Sequence, residues 1–302
     1  MDSITPESVS AILRDRAGLS VPPGTITLER RGDRWFARLA DDLLVFATDE
    51  AVAADRLARE GRLLQALAPR VPFAVPVIRE IGPGIQLRRP VPGMPLGGGG
   101  RERAFADQPQ GRRLAAELGR ALAALHRAFT PAEAEALGYA AVEPVLPPAE
   151  ALQQRVAARP EYPEIAAGFD RLLALYRETR PAAADIVLAH GDVWGGNLAV
   201  DHETGALNGL FDFSDAGLAD RHVDLMYIHS FGPDFADLLF ATYAAEASHA
   251  LSRQRTALYH AIAAFAALAD LTSKDDGDVL EQRRRWVLGV CAGPVSRIAL
   301  AG

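Results

Sequence analysis

Apolar and polar positions follow two different periods along this chain, and the change from one to the other divides it. Thr5 and Pro6 fit the N-cap and first position of an opening helix that Gly18 ends. Three runs with strand-like alternation follow: Thr25–Arg30, Trp35–Leu39 and Leu43–Thr48. Gly32-Asp33 and Asp41-Asp42 mark the turns between them. The pattern then becomes helical over about Glu50–Ala68, capped by Thr48 or Asp49, with Leu57, Leu63, Leu64 and Leu67 on the inner side. Pro69, Pro72 and Pro76 end that helix. Val75–Glu80 and Ile85–Arg88 read as two more strands around Gly82-Pro-Gly84.

Pro90-Val-Pro-Gly93 and the run Gly97 to Gly100 predict a flexible joint, which sets two domains, residues 1–92 and 93–302. Beyond it the helical period dominates. Arg112–Phe129 carries Leu114, Leu118, Leu122 and Leu125 at helical spacing, and a Pro-rich stretch, 144–163, holds a short helix. Further helices are predicted at Ala166–Thr179, near Asp224–Ile228, and at Pro233–Ala247, Arg253–Thr272 and Asp278–Ala292. Among them lies a small strand region: Ile186–Leu188, then a hairpin of Leu198–Val200 and Leu207–Phe211 around a turn from Asp201 to Gly205. The reading is α+β, a small antiparallel β lobe with one inserted helix followed by a larger, mainly helical lobe.

Two polar clusters interrupt that strand region where strands end. Leu188-Ala-His-Gly-Asp-Val-Trp-Gly-Gly-Asn-Leu198 sets His190, Asp192 and Asn197 in the spacing H-x-D-x-x-x-x-N, and Phe211-Asp-Phe-Ser-Asp-Ala-Gly217 follows. With seven His, twenty-two Asp and two Asn in 302 residues, the first spacing arises by chance roughly 0.003 times. Carboxylates fixed at strand ends are a usual way to hold a ligand rigidly.

Composition narrows the partners. At 49% hydrophobic and 24% charged the chain reads as globular, and no apolar run reaches the ~20 residues of a membrane span. The net charge of −7 argues against nucleic acid as a partner and suits a small-molecule one. One cysteine, Cys291, excludes an internal disulfide framework and a multi-cysteine metal site. With no basic-then-apolar leader at the N-terminus, a cytoplasmic setting is expected, as a monomer or homodimer.

These motifs resemble the aminoglycoside phosphotransferase family, small-molecule kinases of protein-kinase-like fold. Arg59-Glu-Gly-Arg-Leu-Leu64, Arg89-Pro-Val-Pro-Gly-Met-Pro-Leu96, Leu118-Gly with Leu122 and Leu125-His126, and Val223-Asp-Leu225 add weaker anchors in family order, over about residues 25–245. The Gly-Asp-Val-Trp-Gly-Gly-Asn wording is also similar to ketosamine (fructosamine) kinases, from which Asp212-Phe-Ser-Asp-Ala-Gly217 departs. The resemblance implies a kinase that moves the γ-phosphate of ATP or GTP to a hydroxyl of an antibiotic-like or metabolic small molecule. It makes Asp192 the base, Asn197 and Asp212 the Mg²⁺ ligands, and His190 and Asp224 supports of the loop, with Asp224 also capping its helix. Glu60, Arg38, Arg89 and Val91 fall at nucleotide-binding positions, and Asp215 and Trp194 become candidate substrate contacts.

One feature departs from the family. Glu60 matches the helix glutamate that pairs with a phosphate-binding strand lysine, yet Lys274 is the chain's one lysine, and the lysine position falls on Phe46. Arg38 is the candidate replacement, since a guanidinium binds phosphate bidentately. A two-residue turn at Asp41-Asp42 places it opposite Val45, on the face of Ala47. The missing lysine also admits a kinase-fold binding module with weak catalysis. A metal hydrolase built on His190 and Asp192 is disfavoured, because His202 and His222 sit in turn-like contexts.

Overall fold

Five short strands with apolar alternation share one sheet because none can bury its inner face alone. The computed structural model describes residues 4–31, 34–39, 44–48, 50–97, 100–139, 154, 163–179, 181–269 and 277–292. Contacts divide the chain into two compact units, Met1–Leu96 with Gly196–Ser214, and Gly97–Gly195 with Asp215–Gly302.

In the first unit α1 (Pro6–Ile12) starts at Thr5, whose hydroxyl accepts the Ser8 N–H while the Ser8 hydroxyl takes the Thr5 N–H, a reciprocal capping box. A π-helical turn, 13–17, prolongs it to Gly18 at φ 70°. Val9 and Leu13 pack with Ile26, Ala37, Leu39, Ile81, Ile85 and Leu87 on one side of the sheet. The strands β1 (Thr27–Arg31), β2 (Arg34–Arg38), β3 (Leu44–Ala47), β4 (Val77–Gly82) and β5 (Ile85–Arg89) run antiparallel in the order β1-β2-β3-β5-β4. The inserted helix α2 (Ala51–Leu67) buries Leu57, Leu63, Leu64 and Leu67 as its pattern predicts. Thr48 accepts the Glu50 N–H at its start, while Asp49 and the turns around Gly32 and Asp41 lie outside the described residues.

The register of β2 corrects one expectation. Arg38 pairs with Leu44 rather than Val45, and Leu44 in turn pairs with Arg88. Residues directly opposite share a face, so Arg38 falls on the side of Arg88, reversed by a shift of one residue.

The second unit holds α3 (Arg101–Ala106), α4 (Pro109–Arg127), α5 (Pro131–Ala136), α6 (Pro163–Glu178), α7 (Pro233–Ala247), α8 (Arg253–Ala269) and α9 (Gly277–Ala292). Phe169, Leu172 and Leu173 of α6 interleave with Leu258, Ile262, Phe265 and Leu268 of α8 and Val287 of α9 in its main core. The strand β6 (Ile186–Ala189) pairs with β9 (Gly217–Asp220), an element the sequence pattern did not reveal. The helices α3 and α5 were likewise unread, and of the Pro-rich stretch only residues 154 and 163 are described.

The hairpin of β7 (Leu198–Val200) and β8 (Leu207–Leu210) falls where expected in the chain, but it packs with the first unit rather than the second. Two backbone bridges hold it there. Met94 and Val200 exchange N–H···O bonds of 3.0 Å each way, and Ala74 pairs with Gly209.

Candidate functional site

The strand β6 delivers its last residue, Ala189, directly into the H-x-D motif. Gly191 takes φ 87°, a left-handed conformation that suits glycine, and this turns two successive N–H groups the same way. His190 N and Gly191 N donate to the two carboxylate oxygens of Asp224 at 2.9 and 2.7 Å. Asp224 lies in a short turn, 221–225, whose N-cap is Asp220, so the capping role expected of Asp224 belongs to Asp220. Asp192 N donates to Nδ1 of the fully buried His190 at 3.3 Å, leaving the Asp192 side chain half-buried.

Behind Asp224 runs a buried polar chain. Arg221 donates to the Tyr243 hydroxyl at 2.9 Å, so the phenol hydrogen turns to His126 Nδ1 at 2.8 Å, and His126 Nε2–H donates to Asp224 at 3.0 Å. Burial by itself would raise the Asp224 carboxyl. The His126 hydrogen bond, with the electrostatics of the two rings and the His190 N–H, outweighs it and holds the carboxyl below its ordinary range. An ionised Asp224 is what two converging N–H donors require.

Gly195 has a different reason to be glycine. A Cβ there would stand 2.7 Å from Glu102 Cγ and 2.9 Å from the Gly97 carbonyl. Glu102, on α3, is 4% exposed, and burial raises its carboxyl above the ordinary value, against a smaller lowering by its own backbone N–H. Trp194 beside it is half-buried, and Asp215 is exposed at the end of a short turn, 213–215.

Asn197 and Asp212 belong to the first unit, at the open end of the β7–β8 hairpin. Asn197 precedes β7 and is 5% exposed, and its carbonyl accepts the N–H of Phe211, the neighbour of Asp212, at 3.1 Å. Leu198 pairs with Leu210, so the two oxygen-bearing side chains emerge from adjacent strand ends. Asp212 is one of two non-glycine residues with positive φ among the described residues, at 63°. Such a conformation costs about 1–3 kcal/mol and gathers at functional positions. The Ser214 hydroxyl donates to Asp212 Oδ1 at 2.9 Å.

Glu60 is 2% exposed, and its partner is an arginine the sequence did not single out. Arg88 on β5 forks onto both Glu60 oxygens at 2.9 and 2.8 Å and also donates to Gln86 Oε1. Gln86 in turn donates to the Leu57 carbonyl at 2.6 Å, which locks the cluster to α2. Nothing in the string Leu87-Arg88-Arg89 separates the buried arginine from the exposed one; only the β5 register does. Arg38 and Arg89 are exposed, and Val91 is buried against Gly209.

Comparison with known proteins places this arrangement. Residues 26–284 match the model of the phosphotransferase enzyme family. The chain belongs to that family. An aminoglycoside 3'-phosphotransferase of Streptomyces fradiae is 31% identical over 105 residues, which are 32% of this chain and 38% of that protein. The chain thus spans little more than a third of the length of that curated relative. Among solved structures, a GDP complex of a mutant aminoglycoside 2'-phosphotransferase-IIIa superposes with a TM-score of 0.75 at 18% identity, over 99% of this chain and 100% of the other. A macrolide 2'-phosphotransferase from Brachybacterium faecium gives 0.66 at 21% identity, over 93% and 97%. At these identities the likeness establishes the fold, the α+β, kinase-like architecture of the phosphotransferase family. No helix among the described residues is long and apolar enough to cross a membrane.

Proposed function

We propose that the protein is a small-molecule kinase that transfers the γ-phosphate of ATP or GTP to a hydroxyl group. The observation that carries this reading is the pinning of the Asp192 loop: two backbone N–H groups on Asp224 and a third on His190 fix the backbone that presents Asp192. In this reading the Asp192 carboxylate accepts the proton of the acceptor hydroxyl. The freed oxygen forms a bond to the γ-phosphorus while the bond to the bridging oxygen breaks, and the nucleoside diphosphate leaves. His190 and Asp224 hold the loop.

Asn197 and Asp212 suit Mg²⁺ as hard oxygen donors at neighbouring strand ends, few in number as that ion's preference for phosphate and water ligands allows. When bound there, the ion would neutralise phosphate charge. Glu60, Arg38, Arg89 and Val91 are assigned to the nucleotide side, and Asp215 and Trp194 to the acceptor. The acceptor class is open among aminoglycosides, macrolides, choline, homoserine and sugars, in a cytoplasmic setting.

A second reading, a binding module with weak catalysis, draws on the Glu60–Arg88 pair. Both Glu60 oxygens are engaged by Arg88 of β5, so this carboxylate is paired with an arginine and not with a lysine. Thermal unfolding with Mg-ATP or Mg-GTP separates the two, because a ligand bound by the folded state raises the midpoint. A kinase gives a raised midpoint that Asp212→Ala abolishes, and phosphorylated product from the acceptor panel. A wild-type protein with neither property sinks the kinase reading.

A further inference from the structure

Two helices of the second unit, α4 and α7, meet along a seam that a polar chain crosses. Gly119 of α4 leaves no room there for a side chain: a Cβ would stand 2.9 Å from the Leu239 carbonyl oxygen and 3.3 Å from the Tyr243 backbone nitrogen, both on α7. His126 stands about two turns further along the same face of α4. Its Nδ1 meets the Tyr243 hydroxyl at 2.8 Å, and the two rings lie edge to face with centroids 5.6 Å apart. The close approach that Gly119 permits brings a phenol of α7 within reach of a ring on α4.

The two ends of this chain fix the direction of every proton in it. A guanidinium can only donate, so the Tyr243 oxygen accepts from Arg221 Nη1 at 2.9 Å. An ionised carboxylate can only accept, so His126 donates to Asp224 from Nε2 at 3.0 Å. The phenol hydrogen then has the His126 Nδ1 lone pair as its acceptor. Arg221 is itself held, donating to the Ala184 carbonyl and pairing with Asp185 at 3.4 Å. All four side chains of the chain are buried. On its other side the Asp224 carboxylate receives His190 N and Gly191 N, one on each oxygen, so the His126 donor orients it from behind.

We infer that Tyr243 and Arg221 are positioning residues for phosphoryl transfer: Arg221 sets the phenol, the phenol keeps the His126 proton on Nε2, and that proton holds the Asp224 carboxylate on the two N–H groups that lead into Asp192. The inference rests on the kinase reading. It gives α7 and the turn 221–225, both beyond the H-x-D motif in the chain, a share in the rate and none in binding the acceptor or the nucleotide. Without the phenol hydroxyl the His126 proton is free to move to Nδ1, which turns an imidazole lone pair towards a carboxylate. The carboxylate then rotates, and the loop loses two of its three backbone anchors.

The test uses the full chain, Mg-ATP and Mg-GTP, and a panel of kanamycin, erythromycin, choline, homoserine and glucose. With the compound that wild type phosphorylates, Tyr243→Phe keeps the ring and lowers kcat about tenfold, the order of one lost hydrogen bond, while both KM values stay within about twofold. Arg221→Met lowers kcat less, and the double variant matches Tyr243→Phe alone, because the arginine acts through the phenol. Phe265→Leu, in the core between α6 and α8, lowers the urea midpoint without touching the chain and keeps kcat. An unchanged kcat in Tyr243→Phe, additive losses in the double variant, or an equal kcat loss in Phe265→Leu overturns the proposal.

A second arm needs no acceptor. In protein carrying isotope-labelled histidine, the ring-nitrogen resonances that His126→Gln removes show a bare Nδ1 and a protonated Nε2 in wild type, and Nδ1 gains proton character in Tyr243→Phe. Amide exchange at His190 and Gly191 quickens in Tyr243→Phe relative to the amides of β6. A protonated Nδ1 in wild type, unchanged nitrogen resonances in Tyr243→Phe, or unchanged amide exchange overturns the proposal. The Mg-nucleotide midpoint shift of wild type is measured in the same samples. Its absence, with no phosphorylated product, counts against the kinase reading, whereas an intact shift beside a negative result in either arm counts against Tyr243 and Arg221 alone.

Discussion

Glu60 and Arg88 show how a buried carboxylate finds a partner that no motif names. A buried carboxylate needs a cation, and Arg88 supplies it from the neighbouring strand position that β5 turns toward α2. Removing one member leaves the other buried and unpaired, so Arg88→Ala lowers stability by about 3–5 kcal/mol, read from urea unfolding. Replacing both by apolar side chains, Glu60→Leu with Arg88→Met, costs markedly less, because no orphan charge remains. Mg-nucleotide binding by the double variant then reports whether the pair also serves the phosphates. At Asp192 the expectation concerns rate. Asp192→Asn keeps the size and the backbone pinning but removes the proton acceptor, so turnover falls about 10²–10⁴-fold with the Mg-nucleotide midpoint shift retained. Equal activity in that variant would remove Asp192 from the chemistry.

At the scale of elements, the β7–β8 hairpin carries Asn197 and Asp212, and its backbone bridges to Ala74 and Met94 are what attach it to the first unit. The bridge at Gly209 leaves no space for a side chain: a Cβ there would stand 1.9 Å from the Ala74 carbonyl oxygen, a backbone atom that cannot rotate away. Gly209→Ala therefore pushes β8 away from Ala74 at that point and destabilises by about 1–3 kcal/mol, measured by chemical denaturation. The Mg-nucleotide shift weakens with it, since both proposed metal ligands stand on the displaced hairpin. Helix limits were more legible than this. Thr5-Pro6, Pro233 and the leucine spacing of α2 and α4 act within a turn or two of chain, and those elements lie close to their expected bounds. The strand β9 was missed because Gly217-Leu-Ala-Asp220 has too little alternation to mark a strand, and only its pairing with β6 makes it one.

The whole molecule titrates through groups that no motif contains. Burial would raise the Asp220 carboxyl, but its hydrogen bonds with His222 and Arg255 and the His222 charge bring it from 3.8 down to about 2. The unfolded chain takes up that proton first as pH falls. The carboxylate thus contributes about 2 kcal/mol above pH 4, lost as pH drops through 2. His260 behaves as a buried neutral ring. Burial and the neighbouring His229 charge lower it from 6.5 to about 4, against a smaller raise from the Met226 carbonyl. Here too the unfolded state binds the proton first, so up to about 3 kcal/mol present above pH 6.5 is lost as pH falls towards 4. Urea midpoints across pH should decline in these two windows, and His260→Gln should remove the upper decline while leaving the lower. A single decline confined to pH below 4 would contradict the role of His260.

Sequence alone determined the approximate bounds of α1, α2, α4 and α7, the five-stranded sheet with its inserted helix, and the H-x-D-x-x-x-x-N motif, because caps, periodicity and short spacings are local properties of the chain. Arg88 as the partner of Glu60, the attachment of the β7–β8 hairpin to the first unit, and the His126–Tyr243–Arg221 chain behind Asp224 were decided by tertiary structure. These contacts join residues far apart in the chain, 28 positions at Glu60–Arg88 and 117 at His126–Tyr243. Periodicity tells which face of an element is buried. It does not tell what that face will meet, and a buried charge takes its meaning from the group it meets.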